Sequence, residues 1–288
     1  MAEWARETPW RQGQALSDET AKAFGLAHPE TPAATVVVVV SHDCDLAQLP
    51  QSEPAVEAIV GRFIDAADGN CTHAKNVRRL HIAYARCADN ALIEMTATAK
   101  IMLPKAELAD HLPRGDLHLA ANEHSILQRW LAARYRRAAF PDEFDKRLDN
   151  SGMKERLSKI LKPLGQHIPA VFFDVDEGRD IKRNGPGDTY TLDIYLLHTT
   201  EPDSAKAETA ANEARKQIEA AFKSKLFEQG KGWQQIELRE CSVISDEAMT
   251  YKQSTLLTQW RLEHISLRAD PPQPMMEANN GLPGRRPA

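Results

Sequence analysis

Thr35-Val36-Val37-Val38-Val39-Val40-Ser41-His42-Asp43-Cys44-Asp45 is the stretch on which the fold reading turns. Five valines follow a threonine with no polar residue between them. β-Branched side chains are stiff at χ1 and suit a pleated sheet, and the lack of alternation predicts a strand buried on both faces. The strand stops where Ser41, His42, Asp43, Cys44 and Asp45 arrive together. Strand ends are where rigid scaffolds hold reactive groups, so this corner is the first candidate site.

Three more segments downstream have strand character: Val56 to Ile64, Arg79 to Ala85, and Ala91 to Leu103. In the last, Leu92, Glu94, Thr96, Thr98 and Lys100 alternate with Ile93, Met95, Ala97 and Ala99, the two-residue period of a half-buried strand. The links are short, one marked by Gly69-Asn70, and cannot supply parallel crossovers. The four strands therefore predict an antiparallel sheet or small barrel. Upstream, Ser17 offers an N-cap to a short helix carrying Ala21, Ala23, Phe24 and Leu26.

Downstream the spacing turns helical. Asn122 is placed to cap a helix with Ile126, Leu127, Trp130, Leu131 and Ala133 on one stripe. A second helix follows Phe140-Pro141 and carries Phe144, Leu148, Leu157, Ile160 and Leu161, with an interruption at Ser151-Gly152. Strands are then expected from Ala170 to Val175 and from Thr189 to Leu197, where Tyr190, Leu192, Ile194 and Leu196 share a face. Next come a helix with Ala214, Ile218, Ala221, Phe222 and Leu226 in line, closed by Gly230, and a strand from Ile236 to Ile244. Gln259 to Arg268 fits a strand or a helix end. The reading is an α+β chain: a β-rich, small-barrel-like module over 1–112, a helical connector over 113–168, a ββαβ module over 169–269, and a disordered tail over 270–288.

Composition narrows the function classes. The 288 residues carry 36 Lys+Arg against 41 Asp+Glu, a formal charge of −5, with 42% hydrophobic and 27% charged residues. That excludes collagen, coiled coil and mucin. The longest apolar run, Ala33 to Val40 broken only by Thr35, is far short of the roughly 20 residues a membrane helix needs. The start lacks an apolar signal core, so no membrane partner and a cytoplasmic location are expected. Cys44, Cys71, Cys87 and Cys241 are too few for a disulfide scaffold. The mild negative charge argues against a nucleic-acid coat but permits a local basic groove. Walker, dinucleotide, G-x-S-x-G and H-E-x-x-H motifs are all missing.

At the corner, Cys44 suits a nucleophile or thiolate ligand, and Asp43 and Asp45 suit a divalent cation or the orientation of a base. The alternative is a turn whose carboxylates cap the backbone while Cys44 packs as a small hydrophobe. Arg11-Gln12-Gly13 together with Ser41-x-Asp43-Cys44-Asp45-Leu46 resembles a set of bacterial proteins in which a Q-G-[D] turn precedes a strand ending in S-x-[TD]-C-D-[IL]. Gln14 stands here where Asp is common. The resemblance implies that Cys44 and Asp45 matter as a pair, without naming a reaction. More loosely, the run of strands resembles the small β-barrels of bacterial toxin ribonucleases.

Lys75, Asn76 and Arg78 could hold an anion, and beside Cys44 the two cations would favour its thiolate. Cys44, Cys71, His73 and Cys87 make a valid zinc set but lack C-x-x-C spacing, so structural zinc is not expected. Arg129, Arg134, Arg136 and Arg137 surround Trp130 and Tyr135 on one helix, a pattern suited to a nucleic-acid backbone. Trp130 itself belongs to the apolar stripe. Asp174, Asp176, Glu177, Asp193, Glu237 and Glu240 lie on or beside strands, and Glu237-Leu238-Arg239 imitates a Glu-x-Lys of metal-dependent nucleases, with Arg unable to titrate as Lys does. The leading expectation is a bacterial nucleic-acid-acting protein, toxin-like or a phage-defence nuclease component, working through Asp43, Cys44, Asp45, His42, Lys75, Asn76 and Arg78. The alternatives are a non-catalytic interaction or sensor module, which would need a protein partner, and a Cys44-dependent hydrolase or transferase with His42 or His73 as base.

Overall fold

The chain is α+β. The computed structural model describes residues 3–86, 89–133, 140–179, 181–185 and 187–261. Residues up to Ala66 and from Arg78 to Gln128 form one compact unit, and Ala67–Val77 with the described residues from Arg129 to Arg261 form a second.

In the first unit the Ser17 hydroxyl accepts the Thr20 N–H and opens helix α1 (Asp18–Ala23), as its N-cap position predicts. Strand β1 (Thr35–Val39) follows, with Val37 and Val39 in one core cluster and Val36 and Val38 buried on the other face. A single turn of helix, α2 (Asp43–Leu46), comes directly after it. Strands β2 (Ala55–Ile64), β3 (Arg79–Arg86), β4 (Asp89–Thr96) and β5 (Lys100–Pro104) complete an antiparallel sheet in the order β1-β2-β4-β3. The single strand expected from Ala91 to Leu103 is two. Ile64↔Leu92 and Ile59↔Lys100 pair on the same side of β2, and the offset between them leaves Ala97, Thr98 and Ala99 as an insertion. A period-two reading is blind to such an insertion.

The sheet edges are bridged. Residues 13–16 run antiparallel to β1, with Gly13 N–H donating to Val39 O and Leu16 N–H to Val37 O, and Ala85 of β3 exchanges two hydrogen bonds with His118. Arg114 N–H donates to Ala15 O, so the segment 113–118 carries the bonding back to its start in a barrel-like path. Helix α3 (Lys105–Leu108) follows β5. Helix α4 (Ala121–Ala133) begins one residue before Asn122, which therefore lies inside its first turn instead of capping it.

Helices α5 (Asp142–Asn150) and α6 (Met153–Leu161) are separated at Gly152, whose φ of 72° suits glycine. Expected as a connector, they supply Phe144, Leu148, Met153, Leu157, Ile160 and Leu161 to the core of the second unit. Strands β6 (Ala170–Val175) and β7 (Tyr190–His198) form an antiparallel pair with Tyr190, Leu192, Ile194 and Leu196 buried on one face. Helix α7 (Ser204–Leu226) opens with Asp203 accepting the Lys206 N–H. It stops at Leu226, ahead of Gly230, because Phe227 turns extended into the two-residue strands β8 (Phe227–Glu228) and β9 (Gly232–Trp233); Gly230 serves that hairpin. Strand β10 (Ile236–Ser245) returns parallel to β7, completing the ββαβ order. Helix α8 (Tyr251–Leu256) and strand β11 (Thr258–Gln259), paired with β6, end the sheet.

The segment 67–77 is built into this second unit. Asn70 donates to the carbonyl and hydroxyl of Ser158, and Gly69 meets Gly165 so closely that an added Cβ on Gly165 would lie 2.2 Å from the Gly69 Cα. Among the described residues no helix is long and apolar enough to cross a membrane. The tail over 270–288 lies outside the described residues.

Candidate functional site

The corner after β1 is held by bonds that use up most of its polar groups. Ser41 Oγ accepts the Glu57 N–H at 2.8 Å, His42 Nδ1 accepts the Cys44 N–H at 3.2 Å, and Asp43 Oδ1 accepts the Gln12 N–H at 2.8 Å. Gln12 Nε2 in turn donates to Val40 O, and Tyr84 donates its hydroxyl proton to Gly13 O. The Gln12-Gly13 turn and the Ser41–Asp45 corner, distant in sequence, are thus in direct contact. At the far end of α2, the buried Lys105 ammonium donates to Asp45 O and Gln48 O, and the Trp4 indole N–H to Leu46 O. These bonds satisfy orphan groups at both ends of a one-turn helix. Cys44 and the Asp45 side chain remain exposed at the surface.

Of the cations expected beside Cys44, Lys75 has other employment. Lys75 lies in the second unit, 6% exposed, and its ammonium donates to Gly165 O at 3.1 Å and Ile168 O at 3.0 Å. Burial pushes its pKa down to about 7. Asn76 is buried there too, its carbonyl accepting the Trp130 indole N–H. Lys75 therefore stitches a loop instead of serving an anion. Arg78 is half-buried at the start of the next stretch of the first unit, its carbonyl accepting the Ala97 N–H. The Cys44-dependent reading names His42 and His73 as bases. His42 Nδ1 is already an acceptor, and burial, then Lys75 and Arg129, pushes His73 down to about 4, too low for an effective base at neutral pH.

Of the basic helix, Arg129 is exposed, and Trp130 is in the core at 1% exposure. Arg134, Arg136 and Arg137 lie outside the described residues, as does Cys87 of the zinc set. Among the described residues no three His, Cys, Asp or Glu are grouped to hold a metal.

A different arrangement emerges on the outer face of the second sheet. Inward Leu192 and Ile194 put Asp193 on the opposite face of the sheet, where it is 4% exposed, and it pairs across strands with Asp174 on one side and Glu240 on the other. Three carboxylates thus stand in one row, although like charges directly opposite destabilise a sheet. A bulge between Leu238 and Glu240 aims Arg239 along the row. Its guanidinium donates to both oxygens of Asp193, at 2.9 Å from Nε to Oδ1, and at 2.8 Å from Nη1 to Glu177. Those two acceptors hold the Arg239 pKa above its usual value. Asp174 fares differently. Burial, then the charge of Asp193, raises its pKa, against the opposing pull of the Gly178 N–H and Arg239.

The turn beside the row is strained. Asp176 and Glu177 hold φ of 53° and 56° and Gly178 follows at 72°, two of the three being non-glycine residues in the left-handed region. Asp176 is buried, accepting from Thr191 N–H and hydroxyl and pairing with Arg183, which lies 4.1 Å from the Tyr190 ring centroid. This anchors the turn so that Glu177 meets Arg239 and Gly178 meets Asp174. Glu237 lies farther along the same face, opposite Thr191. Asp174 also lines an open cleft of about 360 Å³ with Phe140, Pro141, Val175, Arg179 and Leu256. Sequence spacing alone left Asp193 unconnected to Asp174; the inward alternation of Tyr190, Leu192, Ile194 and Leu196 was the signal that could have placed it.

Comparison with protein-family models, with curated proteins and with solved structures gives no match.

Proposed function

We propose that this chain is a nucleic-acid-acting phosphodiester hydrolase of the reducing cytosol, assisted by a divalent cation, with its working face at Asp174 and Asp193. The observation that carries the reading is the cross-strand carboxylate row beside a strained turn and an open cleft. Mg²⁺ is usually bound through one or two carboxylates, with water and substrate phosphates completing the octahedron, so no three-residue cluster is needed, and the described residues hold none. When bound, the cation would supply Lewis-acid polarisation of the phosphodiester and a more acidic water. The chain's part is to present the half-buried Asp174 carboxylate, while Asp193 beside it is buried with both oxygens held by Arg239. Water oxygen bonds to phosphorus, the ester P–O bond breaks, and the proton passes to the leaving oxygen. The corner at Asp43, Cys44 and Asp45 is then a structural clasp for the first unit.

The test is hydrolysis of labelled RNA and DNA with Mg²⁺ or Mn²⁺, using Asp174→Asn and Asp193→Asn proteins with unchanged circular dichroism. Cleavage that requires the cation and drops at least 100-fold in either variant is expected. Cleavage that persists in EDTA, or in Asp174→Asn at the parental rate, overturns the reading.

A further inference from the structure

We propose that the outer edge of β10 pairs antiparallel with β10 of a second copy of this chain, continuing the sheet of the second unit through a two-fold axis. The proposal goes beyond the hydrolytic reading and does not depend on it.

The sheet order β10-β7-β6-β11 closes one side of the sheet with β11 and leaves β10 at the other. β10 is ten residues long and pairs, in parallel, with β7 alone. An edge strand presents a row of N–H and C=O groups on its outer side, ready to pair with another chain. Among the described residues no backbone segment meets that row.

Edges of this kind are ordinarily guarded by charge, by proline or by a bulge. The first half of β10 is guarded: the bulge between Leu238 and Glu240 interrupts the ladder, and Arg239 and Glu240 are exposed there. The second half is not. Cys241, Ser242, Val243, Ile244 and Ser245 keep an unbroken register with Ile194 to His198 and carry neither charge nor proline. Val243 and Ile244 are β-branched and only half-buried. The ligand chemistry that such an edge takes is the backbone of an extended strand.

Charge selects which strand. Cys241 packs in one core with Ala214 and Ile218 of α7, and the charges of Glu219 and Arg215 both reach its thiol. These two side chains, four residues apart on α7, therefore stand beside β10. Glu219 is exposed and Arg215 half-buried, and neither has an ion-pair partner among the described residues. A two-fold axis perpendicular to the sheet would run the two α7 helices antiparallel on one face, with Arg215 of each copy set toward Glu219 of the other. An isologous interface has to complement itself, and two neighbouring, opposite and unmatched charges do so.

The test is light scattering after size exclusion, over a range of micromolar concentrations, on the full chain and on Ser242→Lys, Glu219→Arg and the double variant Arg215→Glu with Glu219→Arg, each with parental circular dichroism. A concentration-dependent dimer is expected for the parent. Ser242→Lys places a charge on the open half of the edge and Glu219→Arg sets like charges against each other, so each should raise the dissociation constant about tenfold. The double variant restores opposite charges and should return it to within about threefold of the parent. A parent that stays monomeric throughout, or a dimer that neither Ser242→Lys nor Glu219→Arg weakens, overturns the proposal.

Discussion

Lys75 shows how one residue's chemistry is set by its surroundings. A lysine normally keeps its charge far above neutrality, but burial lowers this one to about 7 while two carbonyls hold the amine. The folded state binds fewer protons than the unfolded chain between that value and about 10.4. Stability should therefore rise as pH increases from 7 to 10, and Lys75→Met should lose that slope in urea melts at the two pH values. The same substitution removes the Lys75 bond to Ile168 O and leaves Gly165 O with the long Thr72 hydroxyl bond, costing about 1–3 kcal/mol at pH 7. Glu94 works in the opposite sense. Burial opposes its charge, but His81, Arg79 and Arg62 outweigh that and bring it down to about 2. Its contribution is present above about 4.5 and fades as pH falls toward 2, so thermal melts of Glu94→Gln should show a shallower acid-side decline than the parent. Neither environment is written in the local sequence; Glu94 read only as one member of an alternating strand.

At the scale of elements, the loop 67–77 is held by backbone-to-backbone proximity that glycine alone permits. A Cβ on Gly69 would lie 2.1 Å from Lys162 O, and one on Gly165 2.2 Å from Gly69 Cα. Backbone cannot move aside as a side-chain tip can. Gly69→Ala and Gly165→Ala should each destabilise by about 1–3 kcal/mol or more, whereas Gly115→Ala, with open space around it, should lie within about 0.5 kcal/mol of the parent in denaturant midpoints. Gly69-Asn70 was legible as a turn from composition. That the turn packs among residues of α6 and the stretch after it was not, because close approach of two glycines leaves no periodic trace. The inserted Ala97-Thr98-Ala99 and the early end of α7 belong to the same class: local propensity gives the element, and pairing decides where it breaks.

For the whole molecule, the formal charge of −5 and the acidic face set the terms of any association with nucleic acid. Phosphate cannot approach Asp174, Asp193 and Glu240 favourably unless a cation intervenes. Binding of a fluorescent single strand should then require millimolar Mg²⁺ and vanish in EDTA; tight binding in EDTA would place the contact on a basic surface instead. The sequence by itself determined the α+β class, the doubly buried β1, the ββαβ order and the stripe that keeps Trp130 in the core. These follow from periodicity and side-chain shape, which act over a few residues. Only the tertiary structure decided that Gln12 clasps Asp43, that Lys75 serves two carbonyls, and that Asp174, Asp193 and Glu240 form one row. Each depends on strand register and chain crossing, which bring together groups whose separation along the chain carries no signal of their contact.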